Sequence, residues 1–180
     1  GDELMQIFEL NKLDPHTFEH IVNRLALRIL GRGHTGFGPG PDGGRDGYFE
    51  GEAPYPSLTN RWHGVWTIQS KFHAPHLSKD SQKWLLKQIE QELTQFSDPK
   101  SKRKWPDNWI VATNINPSGA ARSGTFDKAR ALVKKFRAPL STHFHIWGGD
   151  KILALLDEHK DIASFYAHLL TPGHIVTSVL

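Results

Sequence analysis

Two carboxylates four residues apart, Asp42 and Asp46 of PDGGRDGYFEG, sit among glycines, and about twenty residues later WTIQSK ends on Gln69 and Lys71. Glycine lets the backbone bend sharply and approach a ligand closely. Asp46 opens the extended stretch RDGYFE, which puts its carboxylate at a strand end. Side chains alternate along a strand, so Gln69 and Lys71 share a face. A carboxylate, an amide oxygen and an ammonium can then converge. Asp and Gln oxygens are hard ligands suited to Mg2+, which takes only one or two protein carboxylates and keeps several waters. Lys71 adds a compact charge able to orient an attacking water or stabilise an anionic transition state. A divalent ion would offset the charge that builds on phosphate oxygens. The combination describes a site for phosphodiester hydrolysis.

Each member has an ordinary reading when taken singly. Asp42 is equally a turn former, Asp46 a loop cap, and Gln69 with Lys71 a solvated strand face. Glu19, on the helix described next, is by default a surface residue.

The elements that must hold these residues are legible from periodicity. LDPHTFEHIVNRLALRIL reads as a first helix, capped by Asp14 with Pro15 in its first turn. Phe18, Val22, Leu25 and Ile29 form its buried stripe, and Gly31 and Gly33 end it. Residues 51 to 63, with Pro54, Pro56 and Asn60, read as a surface excursion. HGVWTIQSKFH is the clearest strand, with Trp66, Ile68 and Phe72 on one face and Thr67, Gln69 and Lys71 on the other. The following helix carries Leu85, Ile89, Leu93 and Phe96 at helical spacing. NWIVATNI is a short buried strand; a helix with Phe126, Ala129, Val133 and Phe136 comes next. THFHIW is another strand, followed by a helix over GGDKILALLDEH that Asp150 caps and an amphipathic segment, DIASFYAHLL. Strands separated by helices require crossovers, hence an α/β domain with a mixed central sheet flanked by helices. One domain over residues 1–170 is expected, with 171–180 as a tail or linker.

The totals restrict the classes. At 180 residues, 38% hydrophobic and 11% aromatic, the chain can bury a core. It has no cysteine, which excludes disulfides and thiolate zinc sites and fits a reducing, cytoplasmic compartment. No apolar run is long enough to span a bilayer, so no membrane partner is expected. The formal net charge of +3 is modest, but KSKRKW concentrates Lys100, Lys102, Arg103 and Lys104 beside an indole, and KARALVKKFR forms a second group. Such clusters attract polyphosphate, although a solvated face is their plainer meaning. His73 and His76 follow the Gln69–Lys71 strand and are placed to meet phosphate or a leaving group, or to be simple loop residues. His143 and His145 alternate on one strand but lack the spacing of a zinc site.

The run of FE (Phe18, Glu19), then DGGRDG (Asp42 to Gly47), then an apolar strand ending QSK (Gln69 to Lys71) resembles the Mrr-like branch of the PD-(D/E)xK nuclease superfamily. WIVATNINPSGAA and FHIWGGDKILALL look like that branch's later strand-to-helix units, so the likeness covers most of residues 14–157. It implies a restriction-endonuclease-like core, with Asp46, Gln69 and Ser70 around Mg2+ (Mn2+ as a substitute), Lys71 as the catalytic lysine and Glu19 as an auxiliary acid. Asp42 would be a further auxiliary carboxylate, and Lys102, Arg103, Lys104 and His73 would contact nucleic acid. Gln in place of the usual acid leaves the metal shell less anionic. The resemblance further implies an endonuclease of double-stranded DNA with low sequence specificity. It would be the effector domain of a prokaryotic antiviral defence protein, activated by self-association and joined to a sensor or NTPase. An inactive nucleic-acid-binding or assembly domain of the same fold is the rival reading.

Overall fold

The computed structural model describes residues 9–31, 38–39, 47–74, 76–77, 79–119 and 124–170. After a short 3-10 turn at Leu10–Lys12, helix α1 runs over Pro15–Leu30. The strands are β1 (Gly38–Pro39), β2 (Gly47–Pro56), β3 (Arg61–Lys71), β4 (Asn108–Thr113) and β5 (His143–Trp147). Helix α2 (Ser81–Ser97) joins β3 to β4 and α3 (Thr125–Arg137) joins β4 to β5. Helices α4 (Gly149–Glu158), α5 (Lys160–Phe165) and α6 (Ala167–Leu170) follow.

The sheet order is β1-β2-β3-β4-β5, with β1 only a two-residue edge. The pairs β1/β2 and β2/β3 are antiparallel; β3/β4 and β4/β5 are parallel. Parallel neighbours cannot be joined by a tight turn, and α2 and α3 are the crossovers that this geometry demands. The mixed α/β sheet flanked by helices thus agrees with the element order read from the sequence. The stretch 51–63 differs: it is no excursion but the arms and turn of the β2–β3 hairpin, paired from Gly47↔Ile68 to Pro56↔Arg61. Its prolines and glycines suggested a loop, yet the register shift between Glu52 and Pro56 accommodates Pro54. Gly51 and Gly64 face each other with φ of 146° and 111°. A Cβ on Gly64 would lie 2.4 Å from Asp107 Oδ2, the oxygen that accepts from Val65 N–H.

Strand alternation divides the core between the two faces. On one face α1, α4 and α5 pack Phe18, Ile21, Val22, Leu25, Ile152 and Leu156 against Phe49, Trp66, Ile68, Ile110 and Trp147. On the other, Leu85, Ile89, Leu93 and Phe96 of α2 and Ala129 and Val133 of α3 cover Trp109, Val111, Phe144 and Ile146. Asp14 Oδ1 accepts from Thr17 N–H at 2.6 Å, as an N-cap should. That backbone bond is the main reason its carboxyl is held below its usual range. Asp150 does not cap α4: Gly148 is the N-cap, and Asp150 lies in the first turn, its own N–H donating to Asn116 Oδ1 at 2.7 Å. DIASFYAHLL is two short helices separated at Tyr166, which is buried with Ile162 and Ala163. Asp42, Asp46 and residues 171–180 lie outside the described residues.

Candidate active site

Lys71 is the last residue of β3 and pairs in register with Thr113, the last residue of β4. The site therefore lies at the carboxyl ends of parallel strands, where open α/β sheets gather their ligands. Gln69 and Lys71 point to the α2 face, the face that also carries Trp109 and Val111.

Their common partner is Glu92 of α2. Lys71 Nζ donates to Glu92 Oε1 at 2.5 Å, and Gln69 Nε2 donates to Glu92 Oε2 at 2.9 Å. Arg103 Nη1 also donates to Glu92 Oε2. Gln69 is 1% exposed and Glu92 8%. The other end of the amide is committed too, since Gln69 Oε1 accepts from Trp109 Nε1–H at 2.7 Å. An indole nitrogen only donates and an ionised carboxylate only accepts, so chemistry fixes which way the amide faces.

The other predicted site residues fall around this hub or away from it. Ser70 lies between Gln69 and Lys71, so alternation sends its side chain to the opposite face and leaves only its main chain beside them. Glu19 is half-buried on α1, which packs on that opposite face; its neighbour Phe18 meets Phe72 with ring centroids 5.4 Å apart. Among the described residues no hydrogen bond or ion pair joins Glu19 to Gln69, Lys71 or Glu92. His73 is built into the rim: its N–H donates to Asn114 Oδ1 at 2.8 Å, its carbonyl accepts from Asn114 Nδ2 at 2.9 Å, and its ring meets Trp84 edge-on at 5.0 Å. His76 is exposed. In the basic loop Lys102 and Lys104 are exposed, but Arg103 turns inward to Glu92. The four cations look alike in sequence; among the described residues, Arg103 is the one paired with a buried carboxylate.

Glu92 itself was not singled out from the sequence, although a signal was present. It stands three residues after Ile89 and seven after Leu85, on the apolar stripe of its own helix. A carboxylate on a buried stripe needs partners, and those partners are the strand residues chosen for chemistry.

For a hard divalent ion, Glu92 offers the right donor type, whereas the oxygen of Gln69 is turned to an indole inside the core. Among the described residues no group of three or more His, Asp or Glu side chains is placed to hold a metal ion. A cleft of about 540 Å3 between Asn114, Asn116, Asp150 and the Leu10–Lys12 turn borders the same rim. None of the described helices is long and apolar enough to cross a membrane. No protein-family model, curated protein or solved structure matches the chain.

Proposed function

We propose that this chain is a metal-dependent endonuclease domain, hydrolysing phosphodiester bonds of double-stranded DNA with little base specificity. It would serve as the effector part of a larger prokaryotic defence protein. The observation that carries the reading is the meeting of Lys71, Gln69 and Glu92 at the carboxyl ends of β3 and β4. The sheet order, an antiparallel hairpin followed by two parallel crossovers, supports a restriction-endonuclease-like core. Lys71 is the cation that orients the attacking water and offsets charge on the phosphate. Asp46, which lies outside the described residues, and the main chain of Ser70 would complete the polar set, with Glu19 an auxiliary acid. A bound Mg2+, or Mn2+ in its place, would supply Lewis acidity and neutralise phosphate charge. Lys102 and Lys104 hold the DNA backbone. Self-association and a linked sensor or NTPase belong to the same proposal.

A specific observation favours a second reading, a domain that binds nucleic acid without cutting it. Lys71 and Arg103 already neutralise Glu92 between them. Supercoiled plasmid incubated with the chain and Mg2+, with and without EDTA and with a fused dimerisation module, separates the two. EDTA-sensitive nicking that is lost in Lys71→Met supports the enzyme. DNA binding without nicking by the dimerised chain would leave the binding domain.

A further inference from the structure

We infer that the cavity along the open edge of the sheet, beside β5, binds a phosphate ester of nucleotide size, with Arg130 and Lys134 holding the phosphoryl group. Leu140, Ser141 and Thr142, which line it, precede β5, so it lies at the amino end of the parallel strands. Lys71 and Thr113 stand at the carboxyl end, and occupancy of the cavity does not depend on whether the chain cuts DNA.

The cavity holds about 410 Å3, the size of an ordinary ligand pocket. β5 is the last strand of the sheet, so the lining draws on both of its faces: His143 and His145 on one, Phe144 with Arg130 and Lys134 of α3 on the other. Among the described residues no carboxylate lines it, and neither Arg130 nor Lys134 has an acidic partner. The Arg130 guanidinium lies over the Phe126 ring, 5.4 Å from its centroid, a contact through the face that leaves its N–H donors available.

An independent observation is Trp62. It is 7% exposed and its ring stacks on His143 at 4.3 Å, yet its indole N–H meets no acceptor among the described residues. A donor in so buried a side chain ordinarily has a partner, and an indole nitrogen can only donate. Trp62 lines the cavity, where an oxygen-rich ligand supplies the acceptor. His145 adds a further donor: with Nδ1 taking the Tyr55 hydroxyl proton, the neutral ring carries its hydrogen on Nε2. Burial first, then Arg130, Lys151 and His143, hold that imidazole below its usual value, so the local field is positive. Asp107 pulls the other way at His143, but its Oδ2 already accepts from Val65 N–H at 2.8 Å. A guanidinium, an ammonium and neutral N–H donors together suit a phosphoryl group, and Leu140 and Val133 offer an apolar wall to the organic part. A free nucleotide and the 5′-phosphate end of a DNA strand present the same oxygens.

The test is titration of the chain with AMP, with adenosine, and with a short single-stranded oligonucleotide carrying a 5′-phosphate or a 5′-hydroxyl. Calorimetry gives the affinities, and proton–nitrogen NMR follows the Trp62 indole N–H, its signal assigned by its loss in Trp62→Phe. AMP is expected to bind and to move that signal, and adenosine to do neither. Arg130→Gln/Lys134→Gln should weaken AMP by more than about tenfold, because two charge-assisted contacts go. Lys102→Gln/Lys104→Gln should leave AMP binding unchanged. A shift of the Trp62 signal by the 5′-phosphorylated strand and not by AMP identifies the strand end as the source of the phosphate. A Trp62 signal that neither AMP nor the 5′-phosphorylated strand moves overturns the inference. So does equal binding of adenosine and AMP, or equal weakening by the two double variants. Arg130 and Lys134 are exposed, so their variant should fold, as circular dichroism melts verify. Should it not, the Trp62 signal of the wild type decides alone.

Discussion

Gln69 bridges Trp109 and Glu92, accepting from the indole N–H at 2.7 Å and donating to the carboxylate at 2.9 Å, so that one amide ties the sheet core to helix α2. Both bonds are buried, and a buried donor stripped of its partner costs more than the bond was worth. Gln69→Met, close to isosteric, is expected to destabilise the fold by about 2 kcal/mol, because the Trp109 N–H then has no acceptor. Combining it with Trp109→Phe should cost less than the sum of the single changes, since the stranded donor goes too. Urea melts of the four proteins measure that coupling.

Lys71 has a structural duty beside its proposed chemical one. Its ammonium pairs with a carboxylate on a side chain only 10% exposed, while its own side chain is 18% exposed. Breaking one side of a largely buried pair leaves an uncompensated charge. Arg103 still holds the other oxygen of Glu92, so Lys71→Met is expected to cost about 1–2 kcal/mol rather than the full value for an orphaned ion. Lys71→Met/Glu92→Gln should recover part of the loss, as chemical denaturation will show. Nicking assays on Lys71 variants must therefore be run well below their melting temperatures.

The helices and the strand pairs were readable because each element obeys one periodicity and one burial pattern. Leu85, Ile89, Leu93 and Phe96 predicted α2, and all four are buried. The β2–β3 hairpin was half missed because Pro54 and Pro56 mark a loop to any local reading, whereas the pairing of Gly51 with Gly64 is a long-range fact. The strand half of the site could be named because alternation fixes Gln69 and Lys71 to one face. Glu92 and the inward turn of Arg103 could not, since they depend on how α2 and the loop after it lie over the sheet. No spacing rule links residues 21 or 32 positions from Lys71.

The basic loop separates into two kinds of cation. Lys102 and Lys104 are exposed and free to meet phosphate, while Arg103 is engaged at Glu92. Lys102→Gln/Lys104→Gln is expected to reduce the slope of log K against log salt for duplex binding by about 2, with no change in melting temperature. Fluorescence anisotropy across a salt series measures the slope. Arg103→Gln should differ in kind, lowering thermal stability through the loss of its half-buried ion pair. If all three changes act alike on binding and none on stability, the inward assignment of Arg103 fails.

At the far end of the sheet, Tyr55 joins two residues of β5. Trp147 Nε1–H donates to Tyr55 Oη at 3.0 Å, and Tyr55 Oη lies 2.5 Å from His145 Nδ1. With the indole N–H donating to the hydroxyl oxygen, donation of the O–H to an unprotonated His145 Nδ1 satisfies both partners. Burial pushes the Tyr55 hydroxyl up to about 12. Burial is also the leading cause that holds the His145 imidazole below its usual value, with Arg130, Lys151 and His143 adding repulsion. His143 is lowered as well, by burial first and by His63, against an opposing pull from Asp107. Above the unfolded histidine pKa of about 6.5 these rings are neutral in both states and contribute no pH dependence. Below it the unfolded chain takes up protons that the folded chain resists, so stability falls as the pH drops toward the lower folded values. Urea titrations from about pH 8 to about pH 5 should show that decline, and His145→Gln should make it shallower while His143 keeps it from vanishing. Tyr55→Phe should cost about 2 kcal/mol near neutral pH, because the Trp147 N–H loses its acceptor. It should also reduce the acid sensitivity, because His145 Nδ1 is then open to a proton. A stability curve flat below the histidine range, or one unchanged by Tyr55→Phe, would contradict the assigned direction of these hydrogen bonds.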